Sequence, residues 1–447
     1  MHAIVIGAGK LGFSIARLLA AEDYDVTIIE KIEERGINLE EHLDVNVIYG
    51  NGASISVLEA AGVSQAKLMV AVTEVDEVNM VACMLGKQAG VEQTIARVRN
   101  PEYLEDKRAG RDLISGIDLI INPELVTARE IAKLIEVPEA LDVVYYAHGR
   151  IMLLELPIQQ DSPIVGKPIG NLRLDQPFLI AAITRKKKVI IPRGSDKLQG
   201  GDIVFLLAKT SDMADIEHFL GSERKQTEKV MILGGGRTGR TLAMILEKKD
   251  YAVRVIEKEY KTCTELAEIL RHGLVIHGDA TDLDLLRQEG AGKGDVFVSV
   301  TDDDKVNLLA GLIAKHLGAK RAITQVRRSD YIGLMESVGI DVGVSPRVLT
   351  ANAILRFIKK SENLLSATFL AQEGAEMLEF EVSERSGVCN RLIKDLDFPV
   401  GSLVGSIHRG DQAMIAKGKD IFKAKDHVTV FCMPNAVNYV IKMFRDH

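Results

Sequence analysis

Three glycines in the spacing G-x-G-x-x-G stand at Gly7, Gly9 and Gly12, and the same spacing returns at Gly234, Gly236 and Gly239. Each cluster follows a short apolar run, opens a helical pattern, and is answered by an acid at the end of the next apolar run, Glu30 or Glu257. The chemistry such a pattern supports is phosphate binding. The first glycine permits a tight turn, the second lets a pyrophosphate approach the backbone, and the third allows the helix to pack against the sheet. The helix N-terminus then presents free N–H groups and a partial positive charge. The acid accepts hydrogen bonds from ribose hydroxyls and disfavours the extra phosphate of NADP. NAD, ATP, ADP and AMP offer the same ribose, so the pattern does not separate them.

Further candidates cluster around these two loops. Lys10 and Leu11, matched by Arg237 and Thr238, lie inside the glycine turns; either cation could reach a phosphate, a carboxylate on a neighbouring subunit, or solvent. Asn51 and Asp279 follow the third apolar run, where each could bond an adenine ring or cap the next helix, and Ala280 stands beside the second. Thr73 and Thr301 end the fourth run and are expected to line a cleft floor. Arg99 and Arg327 close the fifth at its C-terminal edge, where ligands gather in open α/β sheets, and are candidates for a phosphate or an interface. The run Asp302, Asp303, Asp304 reads as first-turn partners of a helix dipole ahead of a cation site.

Catalytic machinery is not evident. A dehydrogenase needs a proton donor beside the nicotinamide, yet His148 and His408 have no partner that recurs in the other half, and no nucleophile elbow or HExxH is present. The expectation is no catalytic residue and no metal, with an NAD-dependent oxidoreductase carrying a duplicated cofactor domain as the alternative.

These residues must be positioned by a repeated scaffold. "NVIYGNGAS" (46–54) matches "LVIHGDATD" (274–282), "AVTEVDEVNMVAC" (71–83) matches "SVTDDDKVNLLAG" (299–311), and "ARVRNPEY" (96–103) matches "TQVRRSDY" (324–331). "NPELVTA" (122–128) matches "SPRVLTA" (345–351). A weaker repeat follows each, pairing Arg185, Gly194 and Asp202 with Arg409, Gly418 and Asp426. The chain therefore reads A–B–A′–B′. In the A units, apolar runs without strict alternation interleave with amphipathic helices at 12–22 and 76–89 and a final helix at 123–137. That implies two tandem Rossmann-like, doubly wound parallel sheets. The B units read as small β-rich α+β lobes, with Lys186, Lys187 and Lys188 forming a solvated hairpin turn. The expected domains are 1–137, 138–221, a polar linker at 222–229, 230–360 and 361–447.

Composition sets outer limits. With 447 residues, roughly two to four domains are expected. A net charge of −7 argues against a nucleic-acid binder, and no apolar run reaches the roughly 18 to 20 residues of a membrane helix. Glycines and Lys10 and Arg17 interrupt the N-terminal apolar stretch, so it reads as strand–turn–helix and not as a signal peptide. Cys83, Cys263, Cys389 and Cys432 lack CxxC spacing and read as ordinary thiols of a reducing cytoplasm.

The pattern "IVIGAGKLG…VTIIEK…VIYGNGAS…AVTEVDEVNMVAC…ARVRNPEY" resembles the nucleotide-binding half of the RCK domain, the regulator of conductance of potassium, and the B units resemble its C-terminal lobe. Two copies in one chain are similar to the TrkA family of cytosolic regulatory subunits of Trk-type potassium uptake systems. The resemblance implies binding of NAD(H), with ATP and ADP as alternative ligands, assembly into a ring, expected to be a homotetramer, and a Trk-type membrane potassium transporter subunit as partner. It further implies a cytoplasmic protein, peripheral at the inner face of the membrane and not inserted in it, that gates potassium uptake. A nucleotide-responsive subunit for another cation channel or antiporter is a third reading.

Overall fold

The computed structural model describes residues 1–103, 116–186, 188–221, 228–279, 281–359, 363–370 and 375–446. The expected linker at 222–229 lies mostly outside them, and its last residue, Lys229, already belongs to a strand.

The first half begins with β1 (His2–Ile6), α1 (Lys10–Ala21), β2 (Asp25–Glu30), α2 (Glu33–Glu40), β3 (Asn46–Tyr49) and α3 (Ile55–Ala60). It continues with β4 (Leu68–Ala71), α4 (Asp76–Gln88), β5 (Gln93–Arg97), β6 (Leu119–Ile121) and α5 (Pro123–Glu136). The six strands pair in parallel in the order β3-β2-β1-β4-β5-β6. That order is the doubly wound arrangement, which reverses direction between β1 and β4 and opens a crevice there. Strands β1 and β4 are buried on both faces, as their unbroken apolar runs require. Helix α1 turns Gly12, Ile15, Ala16 and Leu19 inward, the i, i+3, i+4, i+7 stripe of an amphipathic helix. The sequence reading did not include β6, which is three residues long.

A small antiparallel lobe follows, with β7 (Asp142–Tyr146), β8 (Ile151–Pro157), β9 (Phe178–Arg185), β10 (Lys188–Ile190), β11 (Ile203–Lys209) and α6 (Met213–Phe219). Its strand order is β10-β9-β11-β8-β7. Lys186 sits in the β9–β10 turn at φ 51, Lys187 lies outside the described residues, and Lys188 opens β10 instead of completing the turn.

The second half repeats the plan. Strand β12 (Lys229–Leu233), helix α7 (Arg237–Glu247), β13 (Ala252–Glu257), α8 (Tyr260–Ile269), β14 (Leu274–His277) and α9 (Leu283–Gln288) come first. Next are β15 (Val296–Ser299), α10 (Asp304–Leu317), β16 (Arg321–Gln325), α11 (Ile332–Ser337), β17 (Val342–Val344) and α12 (Pro346–Lys359). Its parallel sheet runs β14-β13-β12-β15-β16-β17. The last lobe holds β18 (Leu364–Leu370), β19 (Ala375–Glu381), β20 (Ser402–Arg409), β21 (Gln412–Ile415), β22 (His427–Cys432) and α13 (Pro434–Phe444), in the order β18-β19-β22-β20-β21.

The chain gathers like with like. One compact unit joins Met1–Ile131 with Glu228–Ile354, the two parallel-sheet domains; the other joins Ala132–Thr227 with Leu355–His447, the two antiparallel lobes. In the antiparallel unit each lobe has its own core, and a further core is shared, with Ile151, Phe205 and Leu207 of the first lobe packed among Met377, Ile415 and Phe431 of the second. Burying such a side chain stabilises by about 1.5–3 kcal/mol. Polar bonds also join the two lobes: Ala147 N–H donates to Glu379 Oε1 at 3.2 Å, and Arg150 meets Asp411 at 2.7 Å. His148 of the first lobe faces His408 and His427 of the second at ring separations of 6.2 and 6.1 Å, and the latter two lie 5.7 Å apart.

A matched ion pair braces each lobe. Arg185 grips Asp202 with Nε and Nη2 at 2.7 Å each, and Arg409 grips Asp426 with the same atoms at the same distances. Both aspartates are buried. In each case Nη2 also donates to a backbone carbonyl, of Lys197 or Ile421. Among the described residues no helix is long and apolar enough to cross a membrane. All four cysteines are free thiols, and burial pushes Cys83 and Cys432 up to about 12.

Candidate nucleotide-binding clefts

Each glycine cluster forms the turn between the first strand of a parallel sheet and the helix that follows. Gly7 and Gly234 take φ of +103° and +99°, a conformation open to glycine and costly to other residues. A Cβ on Gly12 would stand 1.8 Å from the carbonyl oxygen of Gly7, and one on Gly239 would stand 1.8 Å from that of Gly234. The third glycine is therefore demanded by helix–strand packing. At Gly9 and Gly236 a Cβ would meet nothing within 4 Å. Space is left there, beside the helix N-terminus and its unpaired N–H groups, which is the shape a phosphate needs.

The two acids do more than the sequence suggests. Glu30 accepts from Ala8 N–H at 2.6 Å through one oxygen, and from Lys31 and Ile32 N–H at 2.7 and 2.9 Å through the other. Glu257 holds Gly235 N–H at 2.6 Å and Glu259 N–H at 2.8 Å. Each carboxylate thus fixes the glycine turn from the neighbouring strand and keeps at least one acceptor site beyond these bonds.

Thr73 and Thr301 stand at the cleft floor, each fastened by a buried asparagine that the sequence reading matched between the halves without assigning a role. Asn79 Oδ1 accepts from Thr73 N–H and Oγ1–H at 2.8 and 2.7 Å, and its Nδ2 donates to the carbonyls of Thr73 and Arg97 at 3.1 and 2.9 Å. Asn307 repeats the clamp on Thr301 and Gln325. An asparagine recurring at the same place on an otherwise apolar helix face was the signal.

Asn51 and Asp279 bond the backbone two residues on, to Ala53 and Thr281 N–H at 3.1 and 2.9 Å, and Asp279 also meets Lys258 at 3.2 Å. They shape the turn before the helix and are not its N-cap; Ser54 and Asp282 hold those positions. Backbone and side-chain donors of Thr281, together with Lys258, hold Asp279 below the usual carboxylate range. Ala280 lies outside the described residues. Asp303 caps α10, accepting from Lys305 and Val306 N–H, while Asp302 pairs with Arg327 at 2.6 Å. Among the described residues no group of His, Cys, Asp or Glu is arranged to hold a metal ion.

A cavity of about 670 Å³ marks the second cleft. It is lined by the glycine turn at Gly234, Gly236, Arg237 and Thr238, by Glu257 and Asp279, and by Thr301 at the floor. Two residues of the first half complete it: Arg99 and Glu124. Arg99 donates through Nε and Nη2 to Glu124 Oε1 at 2.7 and 2.5 Å. Arg99, expected at its own sheet's edge, therefore borders the other half's cleft. Arg327 does not line this cavity. The lining includes no histidine or tyrosine, and its lysine, Lys258, is paired with Asp279.

Comparison with known proteins agrees with this architecture. The TrkA-N domain family matches residues 3–123 and 230–346, and the TrkA-C domain family matches 153–221 and 377–445. The chain is similar to the Trk system potassium uptake protein TrkA homolog 1 of Methanosarcina mazei, at 39% identity over 100% of both chains. It is also similar to the Trk system potassium uptake protein TrkA of Halomonas elongata, at 34% identity over 96% of this chain and 95% of that one. Among solved structures, the GsuK channel bound to NAD shares the fold, with a TM-score of 0.64 and 19% identity over 99% of this chain and 78% of that chain.

Proposed function

Because the chain belongs to the TrkA family of Trk system potassium uptake proteins, we propose that it is the nucleotide-sensing regulatory subunit of such a system. It binds NAD(H) or adenine nucleotides in the two clefts and gates a membrane potassium-conducting subunit, without catalysing a reaction. Working at the cytoplasmic face of the membrane, it self-associates into a ring, a homotetramer, and docks on its transporter partner without entering the bilayer.

The observation that carries this function is the open cradle at Gly9 and Gly236, each at a helix N-terminus and each beside a turn held by an acid of the next strand. Backbone N–H groups at the starts of α1 and α7 would receive the phosphates, with Lys10 or Arg237 alongside, and Glu30 or Glu257 would receive the ribose. The lack of a poised proton donor among the residues lining the second cavity favours sensing over hydride transfer. A bound nucleotide moves the gate only by its difference in affinity for the two states of the assembly.

The test is calorimetric titration of the purified protein with NADH, ATP and ADP, followed by potassium flux through the reconstituted transporter with each ligand. Binding of at least one nucleotide, with flux that depends on it, is expected. A protein that binds none of the three, or a flux indifferent to all of them, overturns the proposal.

A further inference from the structure

We propose that the two clefts divide their ligands by charge, a division that rests on the nucleotide-binding function proposed above. The first-half cleft takes the more highly phosphorylated adenine nucleotide, of the nucleoside triphosphate class. The second-half cleft takes a ligand of lower charge, of the dinucleotide class.

Position by position, the charges around the two glycine turns part company. Lys10 and Arg237, Glu30 and Glu257, Lys31 and Lys258, and Glu74 and Asp302 keep their sign between the halves. Four other matched pairs do not: Ile32 is replaced by Glu259, Asn51 by Asp279, Val75 by Asp303, and Arg97 by Gln325. Each exchange makes the second cleft more negative by one charge, and all four second-half residues line its cavity. The acids are partly exposed, so salt screens them, but phosphates within about 8 Å still feel them at physiological ionic strength.

The floor of each cleft tells the same story by a separate observation. Arg97 Nη1 donates to the carbonyl of Thr73 at 3.2 Å, while its Nε–H is buried with no partner. In the second half Gln325 Nε2 donates to the matching carbonyl of Thr301 at 3.3 Å. The same backbone oxygen is thus held by a cation with donor capacity to spare in one cleft, and by a neutral amide in the other. A half-buried guanidinium whose Nε–H is buried and unused gains most from an anion.

Gly9→Asp and Gly236→Asp isolate the clefts. A Cβ has open space at both sites, and the backbone φ of −67° and −61° suits any residue, so the new carboxylate enters the phosphate cradle without strain. ATP and NADH are titrated calorimetrically against each variant, with thermal unfolding to verify the fold. G236D, which keeps the first cleft, is expected to bind ATP about tenfold more tightly than G9D, with the gap closing as salt is added. NADH is expected to favour G9D, or to differ between the variants by less than ATP does. Equal ATP affinities, or tighter ATP binding in G9D, overturn the division. A second variant removes dependence on the glycine changes: N51D/V75D alters two exposed positions of the first cleft and is expected to weaken ATP binding there several-fold. Unchanged ATP affinity in it overturns the electrostatic basis. Failure of the unaltered protein to bind any nucleotide sinks the proposed function itself, whereas equal binding in both clefts sinks only the division.

Discussion

The braces of the two antiparallel lobes and the mouths of the two clefts are both repeated between the halves, but the copies of the one agree far more closely than the copies of the other. Arg185–Asp202 and Arg409–Asp426 agree in residue type, bonding atoms and distance, down to the extra bond each arginine gives a carbonyl. Around the clefts, charge after charge has changed, while the glycines, the loop-holding acid and the asparagine clamp have stayed. Groups that a buried partner depends on are constrained by the cost of stranding that partner. Groups that face a ligand or solvent are free to set what the cleft accepts.

If that contrast is right, removing either brace should cost the same. Asp202→Ala and Asp426→Ala are each expected to destabilise the antiparallel unit by about 2–4 kcal/mol in urea unfolding, less than a fully buried pair because each arginine is partly exposed. A large inequality between the two would break the equivalence. Next in size, Asn79→Ala and Asn307→Ala strip the clamp from the cleft floors, leaving backbone groups unpaired at about 1–3 kcal/mol each. Each is expected to weaken nucleotide binding in its own half only, read by titration of each substitution in both the G236D and the G9D backgrounds. Loss in both clefts from one substitution would show that the floors are coupled.

The smallest effect concerns a place where the lobes differ. His408 occupies the position matched by Thr184 and is held below the usual histidine value of 6.5, chiefly by burial, then by Arg150, His427 and His148, with Glu379 opposing. The unfolded chain therefore takes up the proton first as pH falls. The stability contributed by neutral His408 is complete above pH 6.5 and is lost as pH drops from there to the folded value. Melting of the antiparallel unit is expected to fall by a few degrees over that window, and His408→Gln to flatten the dependence. A slope unaffected by the substitution would assign it to other groups.

Much of this arrangement was legible from residue order. Apolar runs alternating with 3.6-residue periodicity announced the parallel sheets, and glycine spacing located the turns at the edge between β1 and β4. Strands β6 and β17 were not legible, because three residues are too few to show a period. Nor was the role of Asn79, since a polar residue within a helix declares its purpose only once the strand ends beside it are known. Arg99 shows a deeper limit. Its position at a strand's C-terminal edge made it a phosphate or interface candidate, but the cavity it lines is built mostly by the other half, and no local pattern encodes a contact between distant repeats.

The core shared by the two antiparallel lobes makes the chain a dimer whose partners cannot be lost or exchanged. Two separate copies would have to find each other at cellular concentration, and any change in one gene would appear on both sides of the pair. Joined by one backbone, through the parallel-sheet domain that separates them in sequence, the lobes meet within a single chain and independently of protein concentration. Left and right can then be edited independently. The fusion is thus what permits two matched repeats to carry different residues at matched positions.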